Sequence, residues 1–205
     1  MKKRETRLKN HESGKFIRHI IFGAEDGLIS TLGFLTGITA AKLSQFTIII
    51  AGIAEIIAAA LSMAIGTYLS SKSQTEVTKR NIEQEKKQIE ITPQNQKKQI
   101  EKIYRDKGFT GNELKNIVKK ICSDKNLVLK EILTTECGII PGKFENPSKS
   151  ALFMFISFAA IAIIPLSPYI LFPLDKAVYI SIIITAITLF LIGSAKTKVT
   201  KRNWL

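Results

Sequence analysis

Between Phe46 and Ser71 the chain reads FTIIIAGIAEIIAAALSMAIGTYLSS, a run long enough to cross a bilayer that holds one ionisable side chain, Glu55. Crossing the hydrocarbon takes about 20 apolar residues, and a carboxylate near its middle costs roughly 2.5 kcal/mol or more unless it faces a partner or a water-filled path. Glu55 is a candidate functional residue on that cost alone. On a helix, Glu55, Ala59, Ser62 and Gly66 share one stripe, and Met63 sits beside it about 12 Å along the axis from Glu55. A carboxylate and a thioether thus border one narrow, small-residue face. The residues leave a structural alternative open: Ala58, Ala59, Ala60, Ser62, Ala64 and Gly66 let helices pack closely, Met63 fills a gap, and Glu55 pairs with another helix.

A second acid-bearing run lies upstream. His19 to Ala41 is the first expected span, and its interior carries Glu25 and Asp26 together with Gly23, Gly27, Gly33 and Gly37, spaced as two GxxxG pairs. Glycines at that spacing permit close helix contact, so acids on such a span should face the bundle interior or a cavity. Asp26 is followed by Gly27, which loosens the helix and helps expose the acid. Solvation of Glu25 and Asp26 at the membrane surface is the alternative.

These residues need a scaffold, and the spacing of apolar and charged blocks supplies one. Residues 1–18 form a basic cytoplasmic lead-in, and 19–71 hold transmembrane helices one and two, joined by a tight turn at residues 42–45. The second helix is expected to run on past Ser71 as a charged helix. Residues 72–148 read as a helical cytoplasmic domain. Thr92 and Pro93 should start its second helix by capping, Gly108 should end that helix, and further helices should begin near Gly111 and Leu127. Residues 149–195 hold helices three and four. Pro165, Pro168 and Pro173 crowd the far end of the third and are expected to break or unwind it. Residues 196–205 are a basic cytoplasmic tail. The fold class is therefore an all-α integral membrane protein, with four transmembrane helices and a helical cytoplasmic domain inserted between the second and third.

A formal net charge of +13 over 205 residues invites a nucleic-acid reading. Placement decides against it. Of the 30 lysines and arginines, only Lys42 and Lys176 fall in loops assigned to the outside, which is the positive-inside pattern. Both termini are then cytoplasmic in a multi-pass protein, residing in the cell inner membrane if the source is bacterial. No nucleic-acid partner is expected, and the basic face suits anionic membrane lipids. Cys122 and Cys137 form no CxxC pair and read as reduced structural thiols. His11 and His19 have no evident nucleophile or metal partner, so an enzyme is not expected.

The stretches AEDGLISTLGFLTGITAA and AEIIAAALSMAIGTYLSSKSQTEV resemble the paired first and second spans of the vacuolar iron transporter family. The shared signature is the DG of the first span, the AEI and LSM of the second, and the YLSSKSQ exit. The resemblance implies a dimeric exchanger that moves Fe2+, and often Mn2+, out of the cytosol against protons, with no permanent cofactor. It carries the family's route acid onto Asp26 and its second-span glutamate and methionine onto Glu55 and Met63. Two carboxylates can bind a dication and take up protons once it leaves, while a thioether favours transition metals over Mg2+ or Ca2+.

Two departures accompany it. The family's cytoplasmic ligand positions read here as Glu85 and Gln88, Gln96 and Gln99, Ile132 and Glu136, so only Glu85 and Glu136 remain as family-type cytoplasmic metal ligands. The family's fifth span has no counterpart after the basic exit that ends at Leu205. The leading expectation is a proton-coupled exporter of Fe2+ or Mn2+ working as a homodimer. The alternative is a transport-inactive, membrane-anchored helical domain derived from such a transporter.

Overall fold

The structure is a computed structural model that describes the backbone of residues 2–139 and 144–200 and the side chains of 17–139 and 144–195. The side chains of residues 1–16 in the lead-in, His11 included, and of the tail 196–205 lie outside the described residues. Among the described residues the chain is all helical: α1 Lys2–Ala40, α2 Gln45–Ile91, α3 Pro93–Asp106, α4 Gly111–Cys122, α5 Lys125–Thr135, α6 Pro147–Leu171 and α7 Leu174–Thr200. They divide into two compact units, residues 1–71 with 145–205, and residues 72–144.

In the first unit, α1 packs on α6 and α7, and α6 packs on α7. Helices α1 and α6 run in the same direction: a Cβ on Gly23 would meet Met154 and Ser157, and one on Gly27 would stand 2.8 Å from the Phe158 carbonyl oxygen. Leu35, Ile48, Ile56, Ala60, Phe158, Ala162, Leu166 and Tyr169 form its buried core. Much of the remaining apolar surface points outward, including Ile50, Ile57 and Leu61 of α2, Ile163 of α6 and Ile183 and Phe190 of α7. Three helices are long and apolar enough to cross a membrane among the described residues: α2, α6 and residues Leu174–Ala195 of α7. Helix α1, whose middle carries Glu25, Asp26 and the spaced glycines, is not one of the three. Outward isoleucines and leucines on such helices match a lipid surround.

The ends of the elements follow from local chemistry. Lys42 takes φ 56°, in the left-handed region, and so closes the turn after α1. The Ser44 hydroxyl then accepts from the Thr47 amide at 3.2 Å and caps α2. At Thr92 the expected cap does not form. The Thr92 hydroxyl donates to the Gln88 carbonyl at 3.0 Å, and Pro93 at the first helical position starts α3 without it.

The prolines of α6 also correct an expectation. Pro165 and Pro168 lie inside an unbroken helix that ends only at Leu171, ahead of Pro173. Pro168 has no N–H for the Ile164 carbonyl, and the Ser167 hydroxyl donates to that oxygen at 2.8 Å instead. At the end of the helix, Gln45 Nε2 donates to the carbonyls of Tyr169 and Phe172 at 2.7 and 2.9 Å. In a membrane, satisfying those oxygens within the protein removes a penalty that water would otherwise absorb.

The second unit gathers the end of α2 with α3, α4 and α5 around Ile89, Ile100, Ile103, Leu114, Val118, Val128 and Ile132. The Lys107 ammonium meets the Glu131 carboxylate at 2.5 Å, linking the end of α3 to α5.

Candidate metal transport site

In α2 the side chains at four-residue intervals divide by environment. Ile48, Gly52, Ile56 and Ala60 are buried against the neighbouring helices, while Glu55, Ala59 and Met63 are half-buried along the border of that face. Ser62 and Gly66, on the sequence-derived stripe, are exposed. Glu55 is held from α1, where the wholly buried Thr31 hydroxyl donates to Glu55 Oε2 at 3.0 Å. Asp26 is half-buried one turn and a half earlier on α1. Met63 packs against the first unit's core. The arrangement offers a hydroxyl-held carboxylate and, about 12 Å further along α2, a thioether, with a second half-buried carboxylate on α1.

Thr31 escaped the reading of the sequence. The signal for it was present, because Gly23, Gly27, Thr31 and Leu35 recur every fourth residue and all four are buried. A hydroxyl on that stripe faces the bundle and needs an acceptor there. Gly33 and Gly37, by contrast, have open space around the position of a Cβ. They share with Asp26 the side of α1 turned away from α6.

The two cytoplasmic candidates lie in the second unit. Glu85 Oε2 and Gln96 Oε1 are buried with no hydrogen-bond partner among the described residues. Glu136 is exposed and accepts a short hydrogen bond from Gln99 Nε2. Partial burial pushes the pKa of the Cys137 thiol above its usual value, and the charges of Glu85 and Glu136 push it further. Ile132 is fully buried in the apolar core. Among the described residues no three histidine, cysteine, aspartate or glutamate side chains come together as a set able to hold a metal ion.

A third polar cluster was not read from the sequence. His19 Nε2 and the Ser150 hydroxyl both reach Glu145 Oε1, at 2.7 and 2.5 Å, and tie α1 to the segment that enters α6. His19 is 8% exposed and Ser150 fully buried. A lone histidine in a basic lead-in gave no sign of a glutamate 126 residues away.

Comparison with known proteins shows the family to which the chain belongs. The family model described as the VIT family matches residues 17–205. A vacuolar iron transporter of Centaurea cyanus is 32% identical over 193 residues, covering 93% of this chain and 79% of that protein. Vacuolar iron transporter 1 of Arabidopsis thaliana is 30% identical over 189 residues, covering 92% of this chain and 76% of the relative. A vacuolar iron transporter of Plasmodium falciparum is 30% identical over 206 residues, with 95% and 76% covered. With its three apolar helices of membrane-crossing length and this similarity along nearly its whole length, the chain is an integral membrane protein that belongs to the VIT family.

Proposed function

We propose that the protein transports divalent iron or manganese out of the cytoplasm in exchange for protons, with Asp26, Glu55 and Met63 along the route. The observation that carries this reading is Glu55 inside an apolar helix, held by the buried Thr31 hydroxyl of α1. A carboxylate kept at that depth is expensive unless it serves a cation or proton path, and the relatives are named as iron transporters. In the proposal α1 joins the other three as a fourth span, its acids accommodated by the route they line. The inserted unit of residues 72–144 and both termini then lie on the cytoplasmic side. The working form is a homodimer that joins through the open side of α1 bearing Gly33 and Gly37, which no helix of the same chain covers at those positions.

The test is metal uptake by purified protein in liposomes, with and without a pH gradient. Gradient-dependent Fe2+ or Mn2+ uptake is expected, and Glu55→Gln or Asp26→Asn should abolish it while the protein stays monodisperse, because the amides keep shape and lose charge and titration. Met63→Leu keeps volume and removes the sulfur, so it should lower flux or change metal preference. Wild-type flux in both amide variants would remove these acids from the route, and no uptake by the wild type would favour a transport-inactive anchored domain.

A further inference from the structure

Where α1, α6 and α7 of the first unit meet, an apolar groove of about 400 Å³ opens on the outside of the bundle. Its walls include Ile20 and Ile21 of α1, Phe153, Ile156 and Ala160 of α6, and Ile192 of α7. The seat is open, since Ile20, Phe153 and Ile156 are 40%, 39% and 53% exposed. The transport reading does not use it. Gly33, in the proposed dimer contact, lies nine residues and therefore about two and a half turns beyond Ala24 of the groove wall, on the opposite side of α1.

Depth discriminates between occupants. On α6 the lining runs from Phe153 to Ile161, eight residues and about 12 Å, and it begins about 9 Å from the start of the helix at Pro147. The hydrocarbon of a bilayer is about 30 Å thick, so the groove reaches through one leaflet and stops. A crossing helix, from a second copy or another protein, would need a seat along the whole span. One acyl chain needs the depth of one leaflet.

Charge marks the end of the groove nearest the start of α6. Lys149 precedes Phe153 by one turn on the same face of α6, and Arg18 precedes Ile21 by three residues on α1. Both are exposed, and among the described residues neither is paired with an acid. Lys196 follows Ile192 by four residues on α7. The positive end of the α6 dipole adds to these cations. Glu145 does not offset them at the surface, because its side chain is only 9% exposed and turns inward to His19 and Ser150.

We propose that this groove binds an anionic phospholipid, with one acyl chain lying along α6 between α1 and α7 and the phosphate at Arg18 and Lys149. A zwitterionic lipid fits the apolar seat but lacks the net charge that the two cations complement, so the headgroup carries the selectivity.

The test uses the full chain in phosphatidylcholine bilayers that contain a minor share of phosphatidylglycerol with brominated acyl chains, which quench tryptophan on contact. In a Trp204→Phe background, Phe153→Trp reports the groove. Phe190→Trp reports ordinary lipid contact, because Phe190 is exposed and two residues before Ile192, on a different face of α7. Quenching in the groove should exceed that at the Phe190 position several-fold, and Arg18→Gln with Lys149→Gln should bring it down to the same level. Ala160→Phe fills the groove and leaves the cations, and should also remove the excess. Both cations are exposed, so their replacement tests the headgroup even if Ala160→Phe does not fold. Brominated phosphatidylcholine should quench the two positions alike. Equal quenching by phosphatidylglycerol at the two positions, or an excess that survives loss of both cations, would overturn the proposal. So would a groove tryptophan that neither lipid quenches, since protein would then cover the site.

Discussion

At the scale of single residues, one half-buried acid in each unit has a different environment. Glu55 sits where an apolar helix borders another helix, and a hydroxyl of α1 holds it. Glu85 keeps a buried oxygen with no donor among the described residues, and its charge and that of Glu136 add to partial burial in raising the pKa of the Cys137 thiol. That second arrangement makes a direct prediction. The thiolate is the reactive form, so in a Cys122→Ser background Cys137 should alkylate slowly at neutral pH, and Glu85→Gln or Glu136→Gln should speed it by roughly a few-fold as the thiol pKa falls. Stopped-flow alkylation at several pH values checks this; a rate profile that does not move toward lower pH would show that neither carboxylate acts on the sulfur. Glu55 and Met63 were legible in the sequence because an ionisable group and a thioether stand out in an apolar run. Thr31 and the His19–Glu145 pair were not, because a threonine is unremarked in a glycine-rich helix and the partners of both lie on other helices.

Helices and their contacts set the next scale. The glycines of α1 read alike in sequence but differ in the structure, since Gly27 abuts the Phe158 backbone while Gly33 and Gly37 meet open space. Gly27→Ala should therefore destabilise the fold by about 1–3 kcal/mol through forced separation of α1 and α6. Gly33→Ala and Gly37→Ala should leave the thermal midpoint of the single chain nearly unchanged and weaken self-association. Thermal unfolding in detergent, run beside size measurement, separates the two effects. In the second unit the link between α3 and α5 is electrostatic. Burial alone would raise Glu131, but the Lys107 hydrogen bond and charge, helped by Tyr104 and Thr135, leave its carboxyl below the usual 4.5. A lowered folded-state pKa means stability that is present above the unfolded value and lost as pH falls through the folded one. Acidification below about pH 4.5 should loosen this unit, and Glu131→Gln should flatten that acid limb, as followed by hydrogen exchange of α3 and α5 amides. The breaks between elements were legible where backbone chemistry is local, as at Gly108 and Pro173. The prolines inside α6 were not, because the group that replaces a missing N–H is a serine one position away whose orientation a sequence does not state.

For the whole molecule, the distribution of charge is the property that orients everything else. All but two of the 30 lysines and arginines fall outside the short turns at residues 41–44 and 172–173 and the start of α7, the exceptions being Lys42 and Lys176. Short basic segments are retained on the cytoplasmic side during insertion, so the proposed four-span arrangement predicts cytoplasmic termini and a cytoplasmic segment 72–144. The prediction is topological and independent of transport. Single cysteines placed at Asn112 and at Ser44, in a background where Cys122 and Cys137 are serine, should behave oppositely in intact cells. The cysteine at Ser44 should react with an impermeant maleimide, and the one at Asn112 should react only after the membrane is opened. Reaction at Asn112 with protection at Ser44 would invert the proposed orientation and with it the proposed direction of transport. Reaction at both would mean that α2 does not cross, and then Glu55 would have to be explained as a solvated carboxylate and not as part of a route.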